Sequence, residues 1–169
     1  MVSDRLQHLH WNDEPDAKRQ PDEQAGHDAQ ADILIVEDDS EIASSLGRRA
    51  LEYFDKPVLL AGSLYEAAAA LQEHTPQIVI ADMLLPDGDG TDLLLRLERE
   101  AVPAVAVVTA APSIFRAATA VRTGAADFLV KPYTDEQLTA MFERLARRLA
   151  EHDEFIRLRR HAESLDATN

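Results

Sequence analysis

The chain has no cysteine, which removes disulfides, thiolate metal sites and a thiol nucleophile at once. Basic residues are scarce. Lys and Arg number 17 against 31 Asp and Glu, for a formal net charge of -14. Phosphate backbones are held by Lys and Arg, so a general nucleic-acid binder is disfavoured. The balance suits a chain that binds cations or basic partner surfaces. No run approaches the ~18 apolar residues of a membrane span, and the N-terminus lacks the apolar core of a signal peptide. No membrane association is expected, and a cytoplasmic location is the default. The six histidines are scattered without ligand spacing.

What is present is enough for one domain. The 169 residues are 46% hydrophobic, which supports a proper core plus extensions. Residues 1–31 are polar and net acidic, with Pro15 and Pro21. Such a segment cannot bury enough apolar surface to fold alone, so a flexible N-terminal extension is expected. Leu6, Leu9 and Trp11 form a small apolar cluster within it, and the alternative is a short segment that docks on a domain surface.

From Asp32 the texture alternates. Short apolar runs at 33–36, 57–61, 77–82, 103–110 and 127–130 read as strands, rich in Val, Ile and Leu. Between them lie helical patterns at 40–54, 63–74, 91–100, 113–124 and 134–160. Ser63 with Glu66 and Thr134 with Gln137 have capping-box spacing. Thr91 and Ser113 are expected helix caps, and Gly124 an expected stop. Strands apolar on both faces belong to a parallel sheet with helices on either side. The expected class is therefore α/β, a doubly wound five-stranded sheet with a long C-terminal helix.

Ligands of such sheets bind beyond the carboxyl ends of the strands. There the sequence places Glu37, Asp38 and Asp39 after the first strand, Asp82 at the third, Thr109 at the fourth, and Lys131-Pro132 after the fifth. Clustered carboxylates repel one another and favour a hard divalent cation, most plausibly Mg²⁺. A carboxylate can also attack a phosphoryl group. An ammonium such as that of Lys131 would pair with a phosphoryl oxygen as a point charge, and Thr109 could donate its hydroxyl there. In "DGDGTD" (87–92) the layout of an EF-hand calcium loop is missing, so Asp87 and Asp89 are read as turn residues.

The stretches "ILIVEDDS", "IADMLLPDGDG", "VVTA" and "DFLVKPY" together resemble the receiver domain of bacterial two-component response regulators, over 32–149. The resemblance implies the strand order 2-1-3-4-5. It implies Asp82 as phosphoacceptor and Glu37 with Asp38 as the acidic pair for Mg²⁺. Leu84 would lend a backbone carbonyl to the metal. Thr109 matches the switch hydroxyl, Lys131 the family lysine and Phe128 the aromatic switch position, and the Lys131-Pro132 bond should be cis. Asp39 falls outside that set. Aspartyl-phosphate hydrolases on a similar sheet place a second acid two residues after the nucleophile, where this chain has Leu84.

The implied function is a signalling switch rather than an enzyme. The phosphodonor would be a sensor histidine kinase or a histidine phosphotransfer protein. Output would pass through the helix at 113–123, the last strand and the last helix to a downstream protein, without direct nucleic-acid binding. Residues 150–169 are too few for an output domain, so a stand-alone receiver is expected. The alternative is the receiver part of a longer transcriptional regulator. Leu138, Phe142, Leu145 and Leu149 are spaced like a coiled-coil seam that His152 interrupts and Ile156 resumes, so a homodimer through the last helix is a further reading.

Overall fold

A computed structural model describes residues 32–168. The expected extension at 1–31, with its apolar cluster, lies outside the described residues. Five parallel strands form the sheet: β1 (Ile33–Val36), β2 (Val58–Ala61), β3 (Ile78–Ala81), β6 (Ala104–Thr109) and β7 (Asp127–Val130). Their order is β2-β1-β3-β6-β7, which is the expected 2-1-3-4-5. A two-stranded hairpin, β4 (Leu84–Leu85) and β5 (Gly88–Asp89), follows β3. The helices are α1 (Ser40–Phe54), α2 (Leu64–Glu73), α3 (Thr91–Arg99), α4 (Ile114–Arg122) and α5 (Asp135–Asp166).

Alternation along each strand splits the core into two layers. Side chains two apart share a face of the sheet. Leu34, Val36, Val79, Ala81, Val105 and Val107 therefore face α2, α3 and α4. Their neighbours Ile33, Ile35, Ile78, Ile80, Ala106 and Val108 face α1 and α5. Because both faces are covered, the strands read as continuous apolar runs. On the second face Phe142 of α5 meets Tyr53 and Phe54 of α1, with ring centroids 5.3 and 5.4 Å away.

The helix starts follow local chemistry. Asp39 caps α1, accepting from the amides of Glu41 and Ile42. Ser63 accepts from the Glu66 amide, Ser113 from the Arg116 amide, and Thr134 with Gln137 makes the full reciprocal box. Gly124 adopts φ 81° just past α4, a left-handed conformation that an L side chain disfavours. Thr91 is not a cap. Gly90 holds that position without a side-chain bond, and the Thr91 amide donates instead to Asp89 Oδ1 at 2.9 Å. The last helix also runs past the expected end near residue 160, to Asp166. Its inner face is buried from Leu138 to Leu149; beyond that, Phe155, Leu158 and Leu165 are exposed.

Candidate functional site

Parallel strands all point the same way, so the residues just past their ends share one edge of the sheet. Val36 pairs with Ala81, and Ala81 with Val107. The next residues, Glu37 and Asp82, therefore stand side by side. On the other flank Thr109 pairs with Val130, and the Lys131 amide donates to the Thr109 carbonyl at 2.9 Å. Four segments far apart in sequence thus meet. The Lys131-Pro132 bond is cis, as expected.

Lys131 Nζ donates to Glu37 Oε2 at 2.6 Å and to Asp82 Oδ2 at 2.8 Å. The other Asp82 oxygen, Oδ1, accepts from the Leu84 amide at 3.0 Å. Glu37, Asp82 and Thr109 are 5%, 6% and 0% exposed, so these charges interact with little screening by water. Burial alone would push the Asp82 carboxyl up. The Leu84 amide, Lys131 and the Thr109 hydroxyl outweigh it and hold that carboxyl below the usual range. Burial prevails at Glu37, which is raised despite Lys131, with the Asp82 charge adding to the rise. Lys131 is opposed by burial, yet its bonds to both carboxylates raise it and keep it a cation.

The donor set fits a divalent cation. Glu37, Asp38 and Asp82 each offer a carboxylate oxygen, and these lie within 4.8 Å of one another. All the ligands are hard oxygens, as Mg²⁺ prefers. Three carboxylates set against one ammonium make an acidic site that a doubly charged ion would suit. Asp38 is exposed and faces the same open cleft as Asp82, Leu84 and Lys131, so the ion would be reachable from solvent.

The remaining expected residues are placed as follows. Leu84 is exposed on the hairpin at the cleft. Phe128 is half-buried on β7 and packs against the α2–α3–α4 layer. Asp39 is absorbed as the cap of α1. Asp87 and Asp89 do more than shape a turn. Asp87 accepts from the Leu64 and Tyr65 amides, both at 2.9 Å, at the start of α2. Asp89 accepts from the Arg116 side chain on α4. Arg116 was not singled out by sequence reasoning, since its partner lies 27 residues away and no periodicity links them.

An α/β sheet of this order, with a partly buried lysine bridging two strand-end carboxylates, defines a class of protein. A family model for the response regulator receiver domain matches residues 33–143, and the chain belongs to that family. Among curated relatives, the transcriptional regulatory protein DpiA of Escherichia coli is 34% identical over 119 residues, covering 69% of this chain and 52% of its own length. The transcriptional regulatory protein TrcR of Mycobacterium tuberculosis is 32% identical over 117 residues, covering 69% and 45%. This chain therefore spans about half the length of those relatives. A CheY-like receiver domain from Methanospirillum hungatei has a similar solved structure, with a TM-score of 0.64 and 25% identity. It covers 74% of this chain and 98% of its own. Among the described residues no helix is long and apolar enough to cross a membrane.

Proposed function

We propose that Asp82 accepts a phosphoryl group from a phosphohistidine on a sensor kinase or a phosphotransfer protein, and that the chain is a phosphorylation-dependent switch. The observation that carries this is the Lys131 ammonium held between Asp82 and Glu37, at 2.8 and 2.6 Å. It keeps the Asp82 carboxylate ionised and nucleophilic while buried. An Asp82 oxygen would attack phosphorus as the P–N bond of the donor breaks, and the leaving imidazole would keep the bonding pair. Lys131 is placed to turn its charge toward the arriving phosphoryl oxygens, and the Thr109 hydroxyl to donate to them. Glu37, Asp38, Asp82 and the Leu84 carbonyl would hold Mg²⁺. That ion neutralises charge on the transferring group.

The phosphoryl adds about -1.5 to -2 charge. Thr109 would shift toward it and Phe128 turn inward, remodelling the face made by α4, β7 and α5. A basic or mixed protein surface suits that face better than nucleic acid, given the net charge of -14. The reading is of a stand-alone receiver located in the cytoplasm, acting on another protein. A second reading has its own support. Relatives whose matched region is only about half of their length are named transcriptional regulatory proteins, and α5 carries exposed Phe155, Leu158 and Leu165 beyond the domain. In that case α5 would pair with a second copy or lead into an output module. Phosphotransfer from a panel of kinases onto wild type and Asp82→Asn tests the acceptor. Labelling is expected on the wild type alone, and equal labelling of both would assign the acceptor elsewhere.

A further inference from the structure

The loop between β6 and α4 follows directly on Thr109, and one side chain on α4 grips it. Arg116 Nη1 donates to the Ala111 carbonyl at 2.7 Å. Its Nη2 and Nε donate to Asp89 Oδ2 at 2.8 and 3.2 Å. The guanidinium thus joins the Thr109 loop to the hairpin that follows Asp82. The Arg116 side chain is 19% exposed and Asp89 47%, so the ion pair itself is partly solvated, and the link rests on three guanidinium donors engaged on two segments.

Both ends of this link are anchored. Asp89 Oδ1 accepts from the Thr91 amide at 2.9 Å. The next residue, Gly90, donates to the Met83 carbonyl at 2.7 Å and packs against the Asp82 backbone. The carboxylate that Arg116 holds is therefore fixed to the segment carrying Asp82. At the other end, the Ala111 peptide is held on both sides. Its carbonyl accepts from Arg116, and its N–H donates to Thr109 Oγ1 at 3.2 Å. A hydroxyl has one proton to give and lone pairs to receive with. With the Ala111 amide on a lone pair, the Thr109 proton is left for another acceptor.

We propose that Arg116 is a positioning residue: through Asp89 and the Ala111 peptide it holds the Thr109 hydroxyl aimed at Asp82. This rests on the reading of Asp82 as the acceptor. The role needs a fork with several donors in fixed geometry. A lysine has one compact ammonium and would reach either Asp89 or Ala111.

The test uses the full chain and two readouts. The first is binding of beryllium fluoride with Mg²⁺, a phosphoryl mimic, measured by calorimetry. Arg116→Ala should weaken it about fivefold, the net scale of one ordinary hydrogen bond. In a Thr109→Ala background the same substitution should change nothing, because its effect passes through that hydroxyl. The second readout needs neither metal nor mimic. Hydrogen exchange at the Ala111 amide should speed up in Arg116→Ala and in Arg116→Lys, while amides of Val107 and Val108 keep their rates. An equal loss of affinity in both Thr109 backgrounds, or no loss in either, overturns the inference, as does unchanged exchange at Ala111. If wild type and Asp82→Asn bind the mimic alike, the acceptor reading fails and takes this one with it. If Asp82→Asn abolishes binding and Arg116→Ala has no effect, the positioning role alone is wrong.

Discussion

Gly90 matters for the space it leaves. A Cβ there would stand 2.9 Å from the Asp82 carbonyl oxygen and 2.9 Å from Met83 Cα, both backbone atoms that cannot swing aside. Gly90→Ala should destabilise the fold by about 1–3 kcal/mol, the range for overpacking a tight contact, and displace the Asp82 segment as well. Denaturant midpoints would measure the first effect and phosphoryl labelling the second. Asp87 makes a different residue-scale prediction. The Leu64 and Tyr65 amides hold its carboxyl below its ordinary value of 3.8. A group depressed in the folded state adds stability above its unfolded pKa and loses it as pH falls through the folded one. The thermal midpoint of the wild type should therefore drop on acidification below about pH 4, and that of Asp87→Asn should drop less. Parallel acid limbs for the two proteins would contradict this reading.

At the scale of elements, α5 anchors one whole face of the sheet. Phe142 is 2% exposed and completes a three-ring cluster with Tyr53 and Phe54. Phe142→Ala should cost about 3–5 kcal/mol, the usual loss for a buried aromatic, read from urea denaturation. The elements differ in how plainly they could be read. Five strands and five helices were legible because each strand is an unbroken apolar run and each helix shows its period, and side-chain caps start four of the five helices. The hairpin at Leu84–Leu85 and Gly88–Asp89 was not, since two-residue strands are too short to carry an alternation. A helical extension over 150–169 was legible, but the exact end of α5 was not, for another reason. Past Leu149 it packs on little, so no apolar stripe marks how far it continues. Glu37, Asp38, Asp82, Thr109 and Lys131 were visible because strand ends in this architecture point to one edge. Arg116 was not, because its role depends on where two loops lie in space.

For the whole molecule, an ion held by the Glu37–Asp38–Asp82 cluster would couple ligand to fold. A ligand that binds only the folded chain stabilises it by mass action, by about 1.4 kcal/mol at a tenfold excess over Kd. Mg²⁺ should raise the thermal midpoint of the wild type, and removing it with a chelator should reverse the rise. Asp38→Asn should blunt the response while leaving the metal-free midpoint nearly unchanged, since Asp38 is exposed. An equal response in both proteins would place the ion elsewhere. The exposed end of α5 makes a second prediction at this scale. If it pairs two copies, Leu158→Glu should convert a dimer to a monomer in sedimentation and remove the dependence of the thermal midpoint on protein concentration.

The bond from Lys131 to Asp82 joins residues 49 positions apart, and this has a consequence for the chain as it is made. A ribosome that has finished Asp82 has yet to add the lysine that pairs with it in the folded site, and the helix that covers one face of the sheet. An incomplete chain thus carries the proposed acceptor without the ammonium that stands beside it in the fold. Competence to receive a signal would come only with the completed sheet, so translation fragments should stay silent in the cell.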